Sequence, residues 1–151
     1  MHMNRSPEIT VRRVKWQQAC AALRAVRVKV FVEEQQVPEA LEWDVHDEQC
    51  LHVLAETAAG EAVGTGRLLP DGHIGRMAVL APWRGRGVGA AILSELIGAA
   101  TGQGHTAVEL SAQTHALGFY ARFGFTVISA EYLDAGIAHR TMRLPLVTPP
   151  R

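Results

Sequence analysis

Arg84-Gly85-Arg86-Gly87-Val88-Gly89 stands between an apolar, strand-like run from Ile74 to Leu80 and a helical run that begins at Ala90. Glycines between a strand and a helix let the backbone approach a ligand closely. The N–H groups of the helix's first turn have no intrahelical partner, and the helix dipole favours negative charge beside them. Two arginines add full charges to that partial one. The stretch therefore reads as a cradle for a phosphate or pyrophosphate.

Two other readings of the same glycines are open. Gly85-x-Gly87-x-x-Ala90 satisfies a loose dinucleotide fingerprint, which would make the chain a dinucleotide-dependent oxidoreductase. That fingerprint needs its glycines directly after the strand and an acidic residue about 20 positions later. Here Ala81-Pro82-Trp83-Arg84 intervenes, and Glu109 falls inside the next strand-like run. No Gly-Lys-Ser/Thr follows the glycines, so a P-loop is unsupported. A glycine-rich turn that binds nothing is the plain alternative for the loop taken alone.

With 151 residues, 48% hydrophobic and 20% charged, the chain suits one soluble α/β domain, with residues 1–7 and 146–151 as flexible ends. A formal net charge of zero argues against a nucleic-acid partner bound through a general basic surface. Cys20 and Cys50 form no disulfide framework, and the seven histidines show no metal-ligand spacing, so no metal is expected. No window approaches the roughly 20 apolar residues of a membrane span, and no targeting segment precedes the first strand. The expectation is a cytoplasmic protein with no membrane partner.

Periodicity gives the element order. Ile9 to Lys15 alternates as a strand, and apolar residues at Ala19, Leu23, Val26 and Val30 predict a helix over 17–32. Glu33 to Gln49 is a polar connection. Strands follow over 51–57, 62–69 and 74–80, then a helix over 87–100, a strand over 107–112, a helix over 114–122, and closing strands over 126–132 and 139–144.

A second motif lies one strand downstream of the cradle: Gln113-Thr114-His115-Ala116-Leu117-Gly118-Phe119-Tyr120-Ala121-Arg122-Phe123-Gly124-Phe125. Together with Arg84-x-x-Gly87-x-Gly89 it resembles the two signatures of the GNAT superfamily of N-acetyltransferases. Phe31-Val32-Glu33-Glu34-Gln35 and Gly136-Ile137-Ala138-His139 are similar to segments of a subgroup of small bacterial single-domain members. The resemblance runs from Ile9 to Leu144. It implies a mixed, mostly antiparallel sheet splayed between its fourth and fifth strands, with helices on both faces, and a pantetheine arm that enters the splay like an added strand.

What the resemblance implies for the site can be stated residue by residue. Met77, Ala78 and Val79 would meet the pantetheine and thioester of acetyl-coenzyme A through their backbone, with the Val79 N–H on the carbonyl oxygen. Arg84, Gly85, Arg86, Gly87, Val88 and Gly89 would wrap the pyrophosphate. Tyr120 would protonate the departing sulfur, and Gln113, where members usually carry asparagine, would contact pantetheine. The implied activity is transfer of an acetyl group to an amine; a noncatalytic acyl-coenzyme A sensor is the alternative, and a homodimer is left open.

The base that deprotonates the amine is not singled out by sequence. Glu34, Asp47, Glu109, His115 and His139 are candidates, with Glu109 placed in the splay. Glu33, Glu34, Glu39, Glu42, Asp44, Asp47 and Glu48 crowd into sixteen positions, while no lysine or arginine occurs between Lys29 and Arg67. Such blocks are commonly solvated surface, but next to an acceptor cleft they would attract a small cationic amine. Glu34, Gln35, Asp44, Asp47 and His139 are therefore expected on the acceptor side.

Overall fold

The computed structural model describes residues 9–42 and 45–147, with the side chains of 41 and 42 excepted. Its strands are β1 (Ile9–Val14), β2 (Leu51–Thr57), β3 (Ala62–Leu68), β4 (His73–Val79), β5 (Ala107–Gln113), β6 (Thr126–Val127), β7 (Tyr132–Asp134) and β8 (Ile137–Pro145). The helices are α1 (Trp16–Arg27), α2 (Glu39–Glu42), α3 (Val88–Gly102) and α4 (Leu117–Ala121). One sheet runs β1-β2-β3-β4-β5-β8-β6, with β7 also against β8. Every pairing is antiparallel except β4 with β5. This is the mixed α/β sheet that the resemblance implied.

Alternation along β2 shows how two helices cover opposite faces. Val53 and Ala55 point into the core beneath α3, while Leu54 joins Leu23 and Trp16 of α1 on the other side. The α3 side holds most of the apolar core, where Ile92, Leu93 and Leu96 are fully buried. Gly64 and Gly66 of β3 lie directly below it. A Cβ at Gly66 would come within 2.8 Å of Leu96 and 2.9 Å of Ile92. Only glycine lets α3 sit this low on the sheet, and that seating fixes where its N-terminus emerges.

Three expected elements differ. The helix predicted over 17–32 is α-helical only to Arg27; Val28–Glu34 winds wider, with the Gln35 N–H donating to the Val30 carbonyl five residues back at 3.0 Å. The wider turn shifts the phase of every side chain after it. The helix predicted over 114–122 shrinks to α4 after a single tight turn, Thr114–Ala116. The strand predicted over 126–132 breaks after Val127, because Ser129 Oγ accepts from the Thr141 N–H at 2.9 Å in place of a backbone carbonyl. Of the expected flexible ends, 1–7 and 148–151 lie outside the described residues. Leu146 is tied to the Thr106 carbonyl at 2.8 Å.

Under α1 lies a buried charge cluster. Asp47 is 3% exposed and accepts from Arg27 at 2.9 and 3.2 Å and from Arg67 at 2.8 Å. The His52 Nε2–H donates to the Asp47 carbonyl at 2.8 Å, and Trp16 lies against both His52 and Arg27. Burial alone would push the Asp47 carboxyl up, but the two guanidiniums outweigh it and hold the group low. Burial pushes the His52 imidazole down.

Asp47→Asn should therefore destabilise the fold by about 3–5 kcal/mol, since it leaves buried guanidiniums facing a neutral amide. Thermal melts should show a drop of roughly 10 °C. Both shifts make the wild type less stable in acid. The His52 contribution is complete above about pH 6.5 and declines below it; that of Asp47 is complete above about pH 4 and is lost as pH falls through its lowered folded value. Urea titrations across pH should show the Asp47 component in the wild type and not in Asp47→Asn.

Candidate active site

Gly66 of β3 faces two residues of β4, Arg76 and Met77, because Thr65 pairs with Ala78 and Arg67 with Gly75. Arg76 takes the left-handed backbone conformation, φ +50°, within the strand. This is a bulge, and a bulge bends and twists the strand that carries it. Before it, β4 pairs with β5 at His73↔Glu109 and Ile74↔Leu110; after it, the two strands share no further rungs. The sheet opens into a V from Arg76 onward.

The β4 wall of the V ends at Val79. The Leu80 N–H bonds the Val63 carbonyl of β3 at 2.9 Å, so by antiparallel alternation the Val79 N–H and C=O turn the other way, toward β5. By the same alternation Ala78 turns its backbone groups to Thr65. It lends the V no backbone donor or acceptor, which corrects the expectation that Met77, Ala78 and Val79 contribute alike. The Val79 carbonyl accepts from Arg84 Nε at 2.9 Å.

At the end of the V stands the N-terminus of α3. Gly85 (φ +75°) and Gly87 (φ +84°) are left-handed, and Gly87 as N-cap has no side chain to bond the first-turn N–H groups. Val88, Gly89 and Ala90 thus offer donors beside a positive dipole end. The two arginines behave differently. Arg86 is exposed and stacks its guanidinium over Trp83 at 5.0 Å. Arg84 folds back to bond both carboxylate oxygens of Glu34 at 2.6 Å each. That bond holds the Glu34 carboxyl below its ordinary range. Arg84 therefore serves as a strut from the loop to the segment after α1, and the cationic charge facing outward from the loop is that of Arg86.

From the β5 side, α4 leans Tyr120 across the V. Its hydroxyl points at the Met77 sulfur, 3.9 Å away, and burial pushes the phenol up to about 12. Phe119 and Phe125 wedge the ring edge-on. A phenol so placed is protonated at any physiological pH and has, among the described residues, only a weak acceptor.

Opposite α3, the far face of β5 and β8 forms a polar floor. Gln113, Ser111 and Glu109 of β5 stand across from His139, Thr141 and Arg143 of β8. The wide turn after α1 reaches over this floor, where Gln35 Oε1 accepts from Gln113 Nε2 at 3.0 Å. His115 bonds the Gln113 oxygen at 2.7 Å. Tyr132 of β7 bonds Ser111 at 2.5 Å and Thr141 at 3.0 Å, and stacks on His139. The arrangement offers an anion cradle, a strand-like slot, a proton donor and a polar chamber, which suits acyl transfer from a long phosphorylated carrier.

Comparison with known proteins agrees. The family described as acetyltransferase (GNAT) domain matches residues 17–146. The chain belongs to the GNAT acetyltransferase family. Among its relatives, the uncharacterized N-acetyltransferase YjcF of Bacillus subtilis is 40% identical over 121 residues, 78% of this chain and 86% of that one. Among solved structures, an acyl-CoA N-acyltransferase from Pseudomonas aeruginosa superposes with a TM-score of 0.77 at 31% identity, covering 91% of this chain and 99% of the other. Escherichia coli ElaA superposes with a TM-score of 0.80 at 29% identity, covering 90% and 99%. The enzyme class is acetyl-coenzyme A-dependent N-acetyltransferase.

Against the GNAT site, several residues need relocating. Glu109 is not in the splay: it pairs with His73 at the closed end of the V and meets His73 and Arg143 at 3.5 and 3.6 Å. Val79 lies six residue steps along β4 from His73, about 20 Å of strand, so Glu109 is no base for chemistry at Val79. Asp47 is core structure and not a surface lip. Asp44 lies outside the described residues. Val79, Met77, Tyr120, Gln113, Gln35, Glu34 and His139 do gather at the open end.

Sequence reading missed the partners Arg27 and Arg67, although each leaves a trace. Arg27 sits on the apolar stripe of α1 between Leu23 and Val30, and Arg67 interrupts an apolar strand. A charge at a core position asks for a buried counter-charge. The Ser111–Tyr132–Thr141 hydroxyl chain left no comparable signal.

Gly87 gives the sharpest test of the loop. A Cβ there would meet nothing within 4 Å, so the cost of Gly87→Val is backbone strain at φ +84°. We expect a folded protein, destabilised by about 1–2 kcal/mol, whose acetyl-coenzyme A affinity in calorimetry falls at least tenfold. Unchanged affinity would remove the loop from the binding site.

Proposed function

We propose that this enzyme transfers the acetyl group of acetyl-coenzyme A to a primary amine of a small cationic acceptor by direct attack. The observation that carries the reading is the alignment of the Val79 N–H, turned away from β3 into the V, with the N-terminus of α3, whose N-cap Gly87 has no side chain. The first suits the amides of a pantetheine arm and the second a pyrophosphate. The co-substrate, when bound, supplies an acyl thioester.

The chain's own groups then divide the work. The backbone N–H groups from Gly85 to Gly89, with Arg86, hold the phosphates. Gln113 and Met77 line the arm. The Val79 N–H faces the thioester oxygen, where a preorganised donor is worth about 2.7–4 kcal/mol. Tyr120, kept protonated by burial, donates to the sulfur as it leaves. The acceptor approaches over the polar floor. Glu33, Glu39 and Glu48 are exposed on the connection after α1, and they support a preference for cations. The free thiols of Cys20 and Cys50 suit a reducing cytoplasm.

Two measurements test this. In an acceptor screen of polyamines, amino acids, aminoglycosides and peptides read by thiol release, turnover should appear with cationic amines, and kcat/KM for the acceptor should fall as salt rises. Binding of acetyl-coenzyme A with no turnover on any amine would instead make the protein a sensor. Tyr120→Phe should lower kcat by about 100-fold or more while leaving acetyl-coenzyme A affinity near the wild-type value. Near-wild-type turnover, with chemistry shown to limit the rate, would make Tyr120 a packing residue.

A further inference from the structure

The geometry points to His139 as the general base that takes the proton from the acceptor amine, an assignment that rests on the acyl-transfer reading above. Its Nδ1 lies 2.7 Å from the Ile137 carbonyl. A carbonyl can only accept, so Nδ1 carries the hydrogen and the Nε2 lone pair is left as the basic site. Among the described residues Nε2 has no hydrogen-bond partner, yet it is not among the buried polar atoms left unsatisfied. It therefore reaches solvent, on the face of β8 that His139 shares with Gln113 of β5. Stacking on Tyr132, whose hydroxyl is tied to Ser111 and Thr141, fixes the ring plane.

Placement completes the case. His139 stands directly across from Gln113, the last residue of β5, with side chains on the same face. That puts it one strand spacing, about 5 Å, from the β5 edge of the V. The carboxylates considered as bases are spent or remote. Asp47 is buried between two arginines, Glu34 is held bidentately by Arg84, and Glu109 pairs at the closed end. His115 donates through Nε2 to Gln113 and so also keeps a basic nitrogen, Nδ1, but its ring stands exposed on the turn before α4, without the stacking that fixes His139. The groups facing His139 are Tyr132 from β7, Gln113 from β5 and, through Gln113, His115. The nearest charged pair on that floor, Glu109 with Arg143, lies two cross-strand rows away, about 13 Å along the strands.

The step balances. The ammonium proton passes to His139 Nε2, the freed nitrogen lone pair forms the C–N bond, and the second proton that nitrogen sheds restores the Tyr120 phenol. The C–S bond breaks with its electron pair going to sulfur, and sulfur takes the Tyr120 proton.

His139→Asn is the informative substitution, because its amide nitrogen can still donate to the Ile137 carbonyl while the basic nitrogen is gone. Measured with a cationic amine found in the screen, kcat/KM should fall about 100-fold or more. Acetyl-coenzyme A affinity should stay near wild type, and the melting temperature should fall by only a few degrees for the lost stack on Tyr132. A series of acceptors of falling amine pKa supplies the readout that a positioning role would not move. The deficit of His139→Asn should shrink for amines that are already neutral at the assay pH. An equal deficit for all amines, or wild-type kcat/KM in a folded variant, overturns the assignment. A wild type that binds acetyl-coenzyme A but acetylates no amine overturns the functional reading itself, which is a distinguishable failure.

Discussion

A single extra residue in β4 organises the site. Where Arg76 and Met77 together face Gly66, the strand turns away from β5 after two rungs, and the backbone beyond it loses its neighbour. A strand edge inside a sheet is ordinarily a liability, since its polar groups need partners. Here it is an opening of the right kind for a ligand that carries amides. The left-handed conformation of Arg76 costs energy for a non-glycine residue, of order 1–3 kcal/mol. The low seat of α3 on Gly64 and Gly66, packed by Ile92 and Leu96, holds the bend in place. The same seat brings the helix N-terminus to the end of the V, so one packing contact sets both the slot and the anion cradle.

Charges on the other side of the sheet support this frame. Asp47, bonded to Arg27 of α1 and Arg67 of β3, ties the polar connection after α1 down onto the sheet. The wide turn at Val28–Glu34 then directs Glu34 to Arg84 and Gln35 to Gln113. One short segment thereby touches the loop beyond β4 and the tip of β5, the two lips of the V. Under the proposed function, these bonds join the pantetheine slot to the acceptor side of the site.

The frame of the fold was legible because hydrophobic alternation and turn glycines mark most strands directly, and the paired motifs around Gly87 and Tyr120 fix their order. The backbone of the loop before α3 was legible too, since glycine, where φ is positive, is a visible choice. The bulge was not, because Arg76 adopts a glycine-like conformation without being glycine. Glu109 was misplaced because a strand position does not reveal which end of a splayed pair it occupies. Asp47 was read with its acidic neighbours as surface, although Arg27 and Arg67, out of place in apolar stretches, were its visible counter-charges. The role proposed for His139 rests on the tautomer, which depends on a carbonyl two residues away.

The central claim is that acetyl-coenzyme A occupies the V opened by the Arg76 bulge. Amide hydrogen exchange with and without acetyl-coenzyme A tests it directly. The account predicts new protection at the Val79 amide and at the first-turn amides of α3 from Val88 to Ala90, with little change at the closed rungs His73 and Ile74. Tight binding that leaves Val79 and the α3 first turn exchanging as in the free protein would contradict it.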